Sequence, residues 1–154
     1  MIDIYSWPTP NGHKVHIMLE ECGQRLGRDW NAHGVDIGAG DQFDPEFLKI
    51  SPNNKIPAMV DPNGPNGKRF ALFESGAILL YLAEKFDAFL PHDPDMRTET
   101  LNWLFWQMGS APYLGGGFGH FYAYAPTRIE YAIDRFTMET KRQMDVLDRH
   151  LAEN

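Results

Sequence analysis

The chain has 154 residues, 43% of them hydrophobic and 23% charged, with a formal net charge of -7. That balance excludes a disordered chain, and a chain of this length buries roughly 68–70% of its unfolded surface without any staple. The acidic surplus argues against non-specific nucleic-acid binding, which needs a basic surface.

The elements follow in chain order. Residues 2–7 (IDIYSW) alternate apolar and polar as a short strand does. The pattern starts at Met1 with no basic, apolar leader, so a cytoplasmic setting is expected. Thr9 is a good N-cap and Pro10 a good first helical residue. Val15, Met18, Leu19 and Cys22 then recur at i, i+3, i+4 and i+7, one buried helical stripe, and Gly23 is a suitable stop. Cys22 is the sole cysteine, which rules out an intrachain disulfide and fits a reducing compartment. Residues 29–37 predict a second strand, and 45–50 a short helix. Residues 57–60 (PAMV) and 69–73 (RFALF) predict strands, and the turn-rich run 61–67 (DPNGPNG) between them makes an antiparallel hairpin. Residues 75–86 (SGAILLYLAEKF) predict an apolar helix with Ser75 as its N-cap. The order β-α-β-α-β-β-α, with a right-handed crossover, implies an α/β thioredoxin-like unit over residues 1–86, a mixed four-stranded sheet with helices.

Residues 87–95 carry two prolines and read as a linker, and 96–154 as an all-α unit. Leu101, Leu104, Phe105 and Met108 form one stripe; Ile129, Ile133, Phe136, Met144, Leu147 and Leu151 form another. Two helices bury their faces poorly alone. The pattern is still helical at Asn154, so these read as the first two helices of an incomplete helical domain, or as faces that a partner subunit covers. No apolar run approaches the ~20 residues of a membrane-spanning helix.

Three motifs carry chemistry. Thr9-Pro10-Asn11-Gly12 puts a hydroxyl and an amide at a helix start. Asn54-Lys55-Ile56-Pro57 sets an X-Pro bond ahead of an apolar strand. Glu74-Ser75-Gly76 puts a carboxylate and a hydroxyl at another helix start. Together they describe a pocket for a small zwitterionic thiol. Each has a plainer reading: a cap and a turn, a trans strand start, an N-cap with an acidic neighbour. His13, His16 and Glu20 share a helical side but read as a solvated face and not as metal ligands. Cys22 lies on the buried stripe and reads as core. Gly115-Gly116-Gly117-Phe118-Gly119 lacks the strand-loop-helix setting of a phosphate loop and reads as a helix end or the border of a second-substrate site. Trp103 and Trp106 read as packing or interface residues.

The words YSWPTPNGHKV, DQFDPEFLKISPNNKIPA, LFESGAILLYLAEK and TLNWLFWQMG, in this order, resemble a cytosolic glutathione transferase. More narrowly they resemble the bacterial nu-class disulfide-bond oxidoreductases, related to the yeast nitrogen-regulator prion protein. The family's helical domain is longer than the segment found here. The resemblance implies a glutathione-dependent disulfide reductase, with weak hydroperoxide reductase or conjugating activity. Glutathione, reduced or oxidised, would be co-substrate, small thiols and disulfides the partners, and the assembly a homodimer, with no metal, nucleic acid or membrane. Two rivals remain at this level: a non-catalytic glutathione-binding or dimerisation module, and a thiol carrier using Cys22.

The resemblance also places roles. A thioredoxin carries its own nucleophilic cysteine at the first helix start; here the turn holds Thr9 and Asn11, so the sulfur must come from the ligand, with Thr9 and Asn11 as the catalytic pair. Lowering a thiol pKa from ~8.5 to about 7 takes roughly 2 kcal/mol. A helix N-terminus supplies about 0.3–1 kcal/mol, and a hydrogen bond to a charged acceptor roughly 1.5–3 kcal/mol, so helix and donor together suffice. Glutathione contacts are implied for Gln42, Lys55, Ile56 and Pro57 (with a cis Ile56-Pro57 bond), and for Glu74 and Ser75 at the γ-glutamyl end. Asn102 and Arg135 complete the implied set. For Arg135 the alternative is an exposed i, i+4 pair with Glu139.

Overall fold

The structure is a computed structural model and describes residues 1–153. The chain forms two compact units, Met1–Arg97 and the segment from Thr98 onward. The first contains β1 (Ile2–Ser6), α1 (Pro10–Glu21), β2 (Trp30–Gly34), α2 (Pro45–Leu48), β3 (Ala58–Asp61), β4 (Phe70–Phe73) and α3 (Ser75–Phe86). The expected order is present, with strand ends shifted by one or a few residues.

The sheet runs β2-β1-β3-β4. β1 and β2 pair in parallel with Ile2 opposite Trp30. β3 is antiparallel to both neighbours, with Met59 opposite Ile4 on one side and Leu72 on the other. This register gathers the C-terminal ends of β1, β2 and β4 and the N-terminal end of β3 at one end of the sheet. Strand alternation then sorts the core. Ile2, Ile4, Trp30, Met59 and Leu72 pack with Val15 and Leu19 of α1 and Ile78 and Leu82 of α3 on one face. Tyr5, Ala58 and Phe73 turn to the other face, against Val35 and Phe47.

α1 starts and stops as its sequence dictates. Thr9 is extended at the N-cap and Pro10 opens the helix. At the other end Gly23, at φ +74°, bonds to the Glu20 carbonyl while Gln24 bonds to Leu19. That pair of reversed bonds satisfies the last carbonyls, and it needs a residue free to adopt positive φ. α3 departs from expectation: its N-cap is Glu74 and not Ser75, which is already helical. Glu74 sits at φ 73° and its side chain makes no cap bond. The chain has to turn sharply out of β4, and the residue before Ser75 absorbs that turn.

At the opposite end of the sheet, Asp61 is 2% exposed. It accepts bonds from the Tyr81 hydroxyl (2.6 Å), the Lys85 ammonium (2.7 Å) and the Asn63 amide (2.8 Å). One carboxylate thus joins β3, the hairpin turn and α3.

The second unit holds most of α4 (Pro94–Pro112), a π-helical stretch (Tyr113–Tyr124) and α5 (Glu130–Glu153). The glycine run therefore does not end the helical path, as its composition implied; the path continues in a wider coil. Pro112 has no N–H to donate, which breaks the i→i−4 ladder where the register changes. Gly117 is buried in this coil, and a Cβ there would stand 2.4 Å from the Phe136 ring. Phe121 stacks on Phe136 with centroids 5.5 Å apart, and Trp103 stacks on His150 at 4.0 Å. The two predicted stripes are only partly covered. Ile133 is buried, whereas Phe105 (68%) and Leu151 (65%) stay exposed. Among the described residues no helix is long and apolar enough to cross a membrane.

Candidate functional site

At the shared end of the sheet, β1 leads directly into α1. The Thr9 amide bonds back to the Trp7 carbonyl at 2.6 Å, which tightens the corner. The Thr9 hydroxyl accepts from the Gly12 amide at 3.3 Å. A hydroxyl has one proton and two lone pairs, so this cap uses an acceptor site and leaves the O–H to donate elsewhere. Capping and ligand binding, alternatives in the sequence, are compatible in one side chain. Asn11 lies two residues on, exposed, with its Oδ1 bonded to the Lys14 ammonium at 2.8 Å.

Gly12 makes this corner possible. A Cβ on it would stand 2.5 Å from the Trp7 carbonyl oxygen, a backbone atom that cannot swing away. Gly12→Ala is expected to cost about 1–3 kcal/mol through overpacking despite its better helix propensity, measurable by urea unfolding.

The loop after β2 is shaped by acidic side chains. Asp36 Oδ1 accepts from the Gly38 and Ala39 amides, and Asp41 Oδ2 accepts from the Asp36 amide. This closes a turn that carries Gln42, whose Nε2 donates to the Ile37 carbonyl at 3.3 Å. Gln42 Oε1 is buried and has no hydrogen-bond partner among the described residues. A buried acceptor left unpaired in this way requires an explanation. The loop before β3 is pinned by the fully buried Ser51, whose hydroxyl donates to the Lys55 carbonyl at 2.8 Å. The Ile56-Pro57 bond that follows is cis.

Thr9, Asn11, Gln42, Lys55 and Ile56 line one cavity of about 370 Å³, together with Ile37, Phe43 and Asn54. Its size lies within the roughly 300–1,000 Å³ of small-ligand sites. The three additional residues were missed in the sequence. Asn54 stood inside a quoted motif; Phe43 adjoined Gln42; Ile37 gave no signal beyond the end of a strand. Pro57 is buried just before β3. Glu74 follows Phe73, which pairs with Ala58, so it lies at this same end of the sheet. Its Oε1 accepts from Asn53 at 3.4 Å. Its positive φ is a strained conformation for a side-chain-bearing residue, of a kind that concentrates at functional sites. Ser75, next in the chain, is buried.

Asn102 and Arg135 belong to the second unit. Asn102 is exposed on α4. Arg135 reaches Glu139 at 3.9 Å, the i, i+4 pair left open in the sequence. Glu139 is held more closely by Arg142 at 2.6 Å. Hydrogen bonds from Arg142 and Gln143 bring Glu139 down to about 2, with Arg135 a lesser contributor. Arg135 is therefore the outer member of that group, 55% exposed.

The remaining candidates fall outside the cavity. His16 does not lie on a solvated face as its spacing implied. It is half-buried, 2.9 Å from the Ser6 hydroxyl and against Trp30. Burial, with His13 nearby, lowers its pKa. Glu20 accepts from the Trp30 indole. Among the described residues no group of three His, Cys, Asp or Glu side chains is placed to hold a metal. Burial and then the Glu21 carboxylate push the Cys22 thiol up, away from the reactive thiolate form.

Comparison with known proteins bears on this geometry. The family model described as Glutathione S-transferase, N-terminal domain, matches residues 9–85, from the corner before α1 to the last turn of α3. The chain is 57% identical over 155 residues to the disulfide-bond oxidoreductase YghU of Escherichia coli, covering 99% of this chain and 53% of that protein. It is 52% identical to the disulfide-bond oxidoreductase YfcG of the same organism, over 98% of this chain and 69% of that one. A solved glutathione transferase from Pseudomonas putida, with one glutathione disulfide bound per subunit, superposes with a TM-score of 0.92 at 48% identity. That match covers 99% of this chain and 66% of the other. The chain thus spans about half the length of YghU and about two thirds of the other two. A profile that runs across the elements building the cavity, and identities of this order along almost the whole sequence, make the chain a member of the glutathione S-transferase family.

Proposed function

We propose that the protein is a glutathione-dependent disulfide reductase whose reactive sulfur is supplied by bound glutathione. The observation that carries this is the joining of Thr9, Asn11, Gln42, Lys55 and Ile56 around one cavity at the start of α1, where the described residues offer donors but no cysteine. The Thr9 O–H and the Asn11 amide would donate to the thiolate, with the α1 N-terminus adding its partial positive charge. The unpaired Gln42 Oε1 suits a peptide N–H of the ligand, and Lys55 a carboxylate. Glu74 and Ser75 suit the ammonium and carboxylate of the γ-glutamyl end, and Pro57 fixes the adjoining backbone. Asn102 and the exposed Arg135 are assigned to the same ligand by the family resemblance; Arg135 is only loosely engaged by Glu139, which leaves its guanidinium for a carboxylate.

The chemistry is two thiol–disulfide exchanges. The stabilised thiolate attacks one sulfur of the substrate disulfide, that S–S bond breaks, and the electron pair leaves on the other sulfur, which takes a proton. A second glutathione thiolate then attacks the mixed disulfide, releasing the second thiol and glutathione disulfide. Weak hydroperoxide reduction or conjugation would use the same thiolate.

The reading extends to a cytoplasmic homodimer. A lone cysteine supports the compartment. Exposed Phe105, Tyr131, Met138 and Leu151 support a partner surface on the second unit.

The test joins calorimetry with reduced and oxidised glutathione to an assay of small-disulfide reduction and to light scattering. Binding of both forms, turnover and a dimeric mass are expected. Binding without turnover would leave a glutathione-binding module, absence of binding would remove the site, and a monomer alone would count against the dimer.

A further inference from the structure

We propose that Lys14 is a positioning residue for this site: its ammonium fixes the Asn11 amide so that the NH2 edge, and not the carbonyl oxygen, faces the sulfur. The inference rests on the glutathione reading above and names a component of it.

The argument begins with what each group can do. An ammonium only donates hydrogen bonds. The Asn11 atom 2.8 Å from Lys14 Nζ must therefore be the amide oxygen. The amide is planar, so holding the oxygen on one side directs the NH2 group away from Lys14. Asn11 lines the cavity and Lys14 does not. Lys14 thus acts through Asn11 without touching the ligand.

The orientation matters because the two edges of an amide have opposite polarity. An NH2 edge donates to a thiolate; a carbonyl edge repels it. In water the two flips of an unrestrained asparagine differ little, and half of the population would offer the wrong edge. The i, i+3 spacing puts Lys14 one turn along α1, within reach of Asn11. Lys14 is half-buried, and burial lowers its pKa, so its ammonium has given up part of its water and depends more on the Asn11 oxygen. The bond also polarises the amide, which makes its N–H groups better donors. Lys55 is the charged residue that lines the cavity itself. Its role is separable, because it sits on the loop before β3, a different element from the α1 helix that carries Asn11 and Lys14.

The experiment compares Lys14→Met, Lys14→Gln and Lys14→Arg with the wild type, and places Lys14→Met on an Asn11→Ala background. The readouts are the pKa of bound glutathione, from thiolate ultraviolet absorbance against pH, and the pH profile of kcat/KM. Lys14→Met and Lys14→Gln are expected to raise the bound thiol pKa by about half a unit and, with the loss of aim, to lower kcat/KM about twofold at neutral pH. Lys14→Arg, which keeps a charged donor, restores most of both. On the Asn11→Ala background Lys14→Met adds nothing, because the amide it orients is gone.

A pKa shift that persists undiminished without Asn11 overturns the inference in favour of a bare charge effect. So does an unchanged pKa in Lys14→Met and Lys14→Gln when glutathione still binds and ionises readily in the wild type. If the wild type binds no glutathione, the reading of the site falls and this inference with it.

Discussion

Replacing Thr9 and Asn11 together by alanine is expected to lower kcat/KM for disulfide reduction with glutathione about 30-fold at neutral pH. Ionisation alone gives less than it first promises. Lowering the thiol pKa from ~8.5 to about 7 raises the thiolate share roughly 15-fold at neutral pH, but the weaker base is a poorer nucleophile, which takes back about fivefold. The remaining tenfold comes from position: two donors aim the sulfur into the open part of the cavity, and without them the thiolate samples unproductive directions. The pH profile separates the two contributions. A bound thiol whose pKa has been lowered holds its advantage below that of the free thiol and loses it as pH rises. The gap between wild type and double variant should therefore narrow above about pH 8.5, where a free thiol ionises unaided. Thr9→Ser keeps the cap acceptor and the O–H donor and should stay within about threefold of wild type. Equal turnover in wild type and double variant across the whole pH range would show that the cavity at the start of α1 is not where the chemistry happens.

What could be read from the sequence follows the range of each interaction. Thr9 and Pro10 declare a helix start through bonds spanning three residues, so the corner that holds the candidate thiolate donors was legible. The thioredoxin-like order was legible because strand alternation and the single stripe of α1 both repeat within a dozen residues. Gln42 could be named only through the family resemblance. Its place depends on Asp36 and Asp41 closing a loop five residues apart, and no periodic signal marks such a pair. Ile37 and Phe43, exposed apolar residues on that same loop, were invisible for the same reason. Glu74 was misread because local chemistry favours serine as a cap, whereas the exit from β4 forces the preceding residue to positive φ. Of the two readings of the glycine run, the helix end, drawn because glycine within a helical pattern normally stops it, failed. Here Gly117 is small for a different purpose, to pass beneath Phe136, a neighbour nineteen residues away in sequence. His16 was placed on a solvated face from its spacing, but the bulk of Trp30, contributed by another element, covers it.

The largest effect on stability is expected at Asp61, remote from the sulfur chemistry. Asp61→Ala should cost the first unit about 3 kcal/mol, since truncating one member of a buried charged network strands the others. The Lys85 ammonium, the Tyr81 hydroxyl and the Asn63 amide all point at this carboxylate, and the substitution takes the acceptor from all three. Lys85 is 24% exposed and recovers some hydration, which keeps the cost at the lower end for a buried pair. Tyr81→Phe removes a single donor and should cost about 1.5 kcal/mol, and the double variant less than the sum, because the two changes share one partner. Burial by itself would raise the Asp61 pKa; the bonds from Lys85, Tyr81 and Asn63 outweigh it and hold the carboxyl below its usual range. A lowered folded-state pKa means stability fully present above about pH 4, the unfolded value, and lost as pH falls through the folded one. Tyr81 bounds the other side. Burial and the adjacent carboxylate push its phenol up, so its contribution is complete below about pH 10 and declines beyond. Urea midpoints measured from pH 3 to 11 should therefore trace a plateau for the wild type with both flanks falling. In Asp61→Ala the acid flank should flatten. An acid flank that is equally steep in both proteins would assign the acid sensitivity to other carboxylates and reduce this network to packing alone.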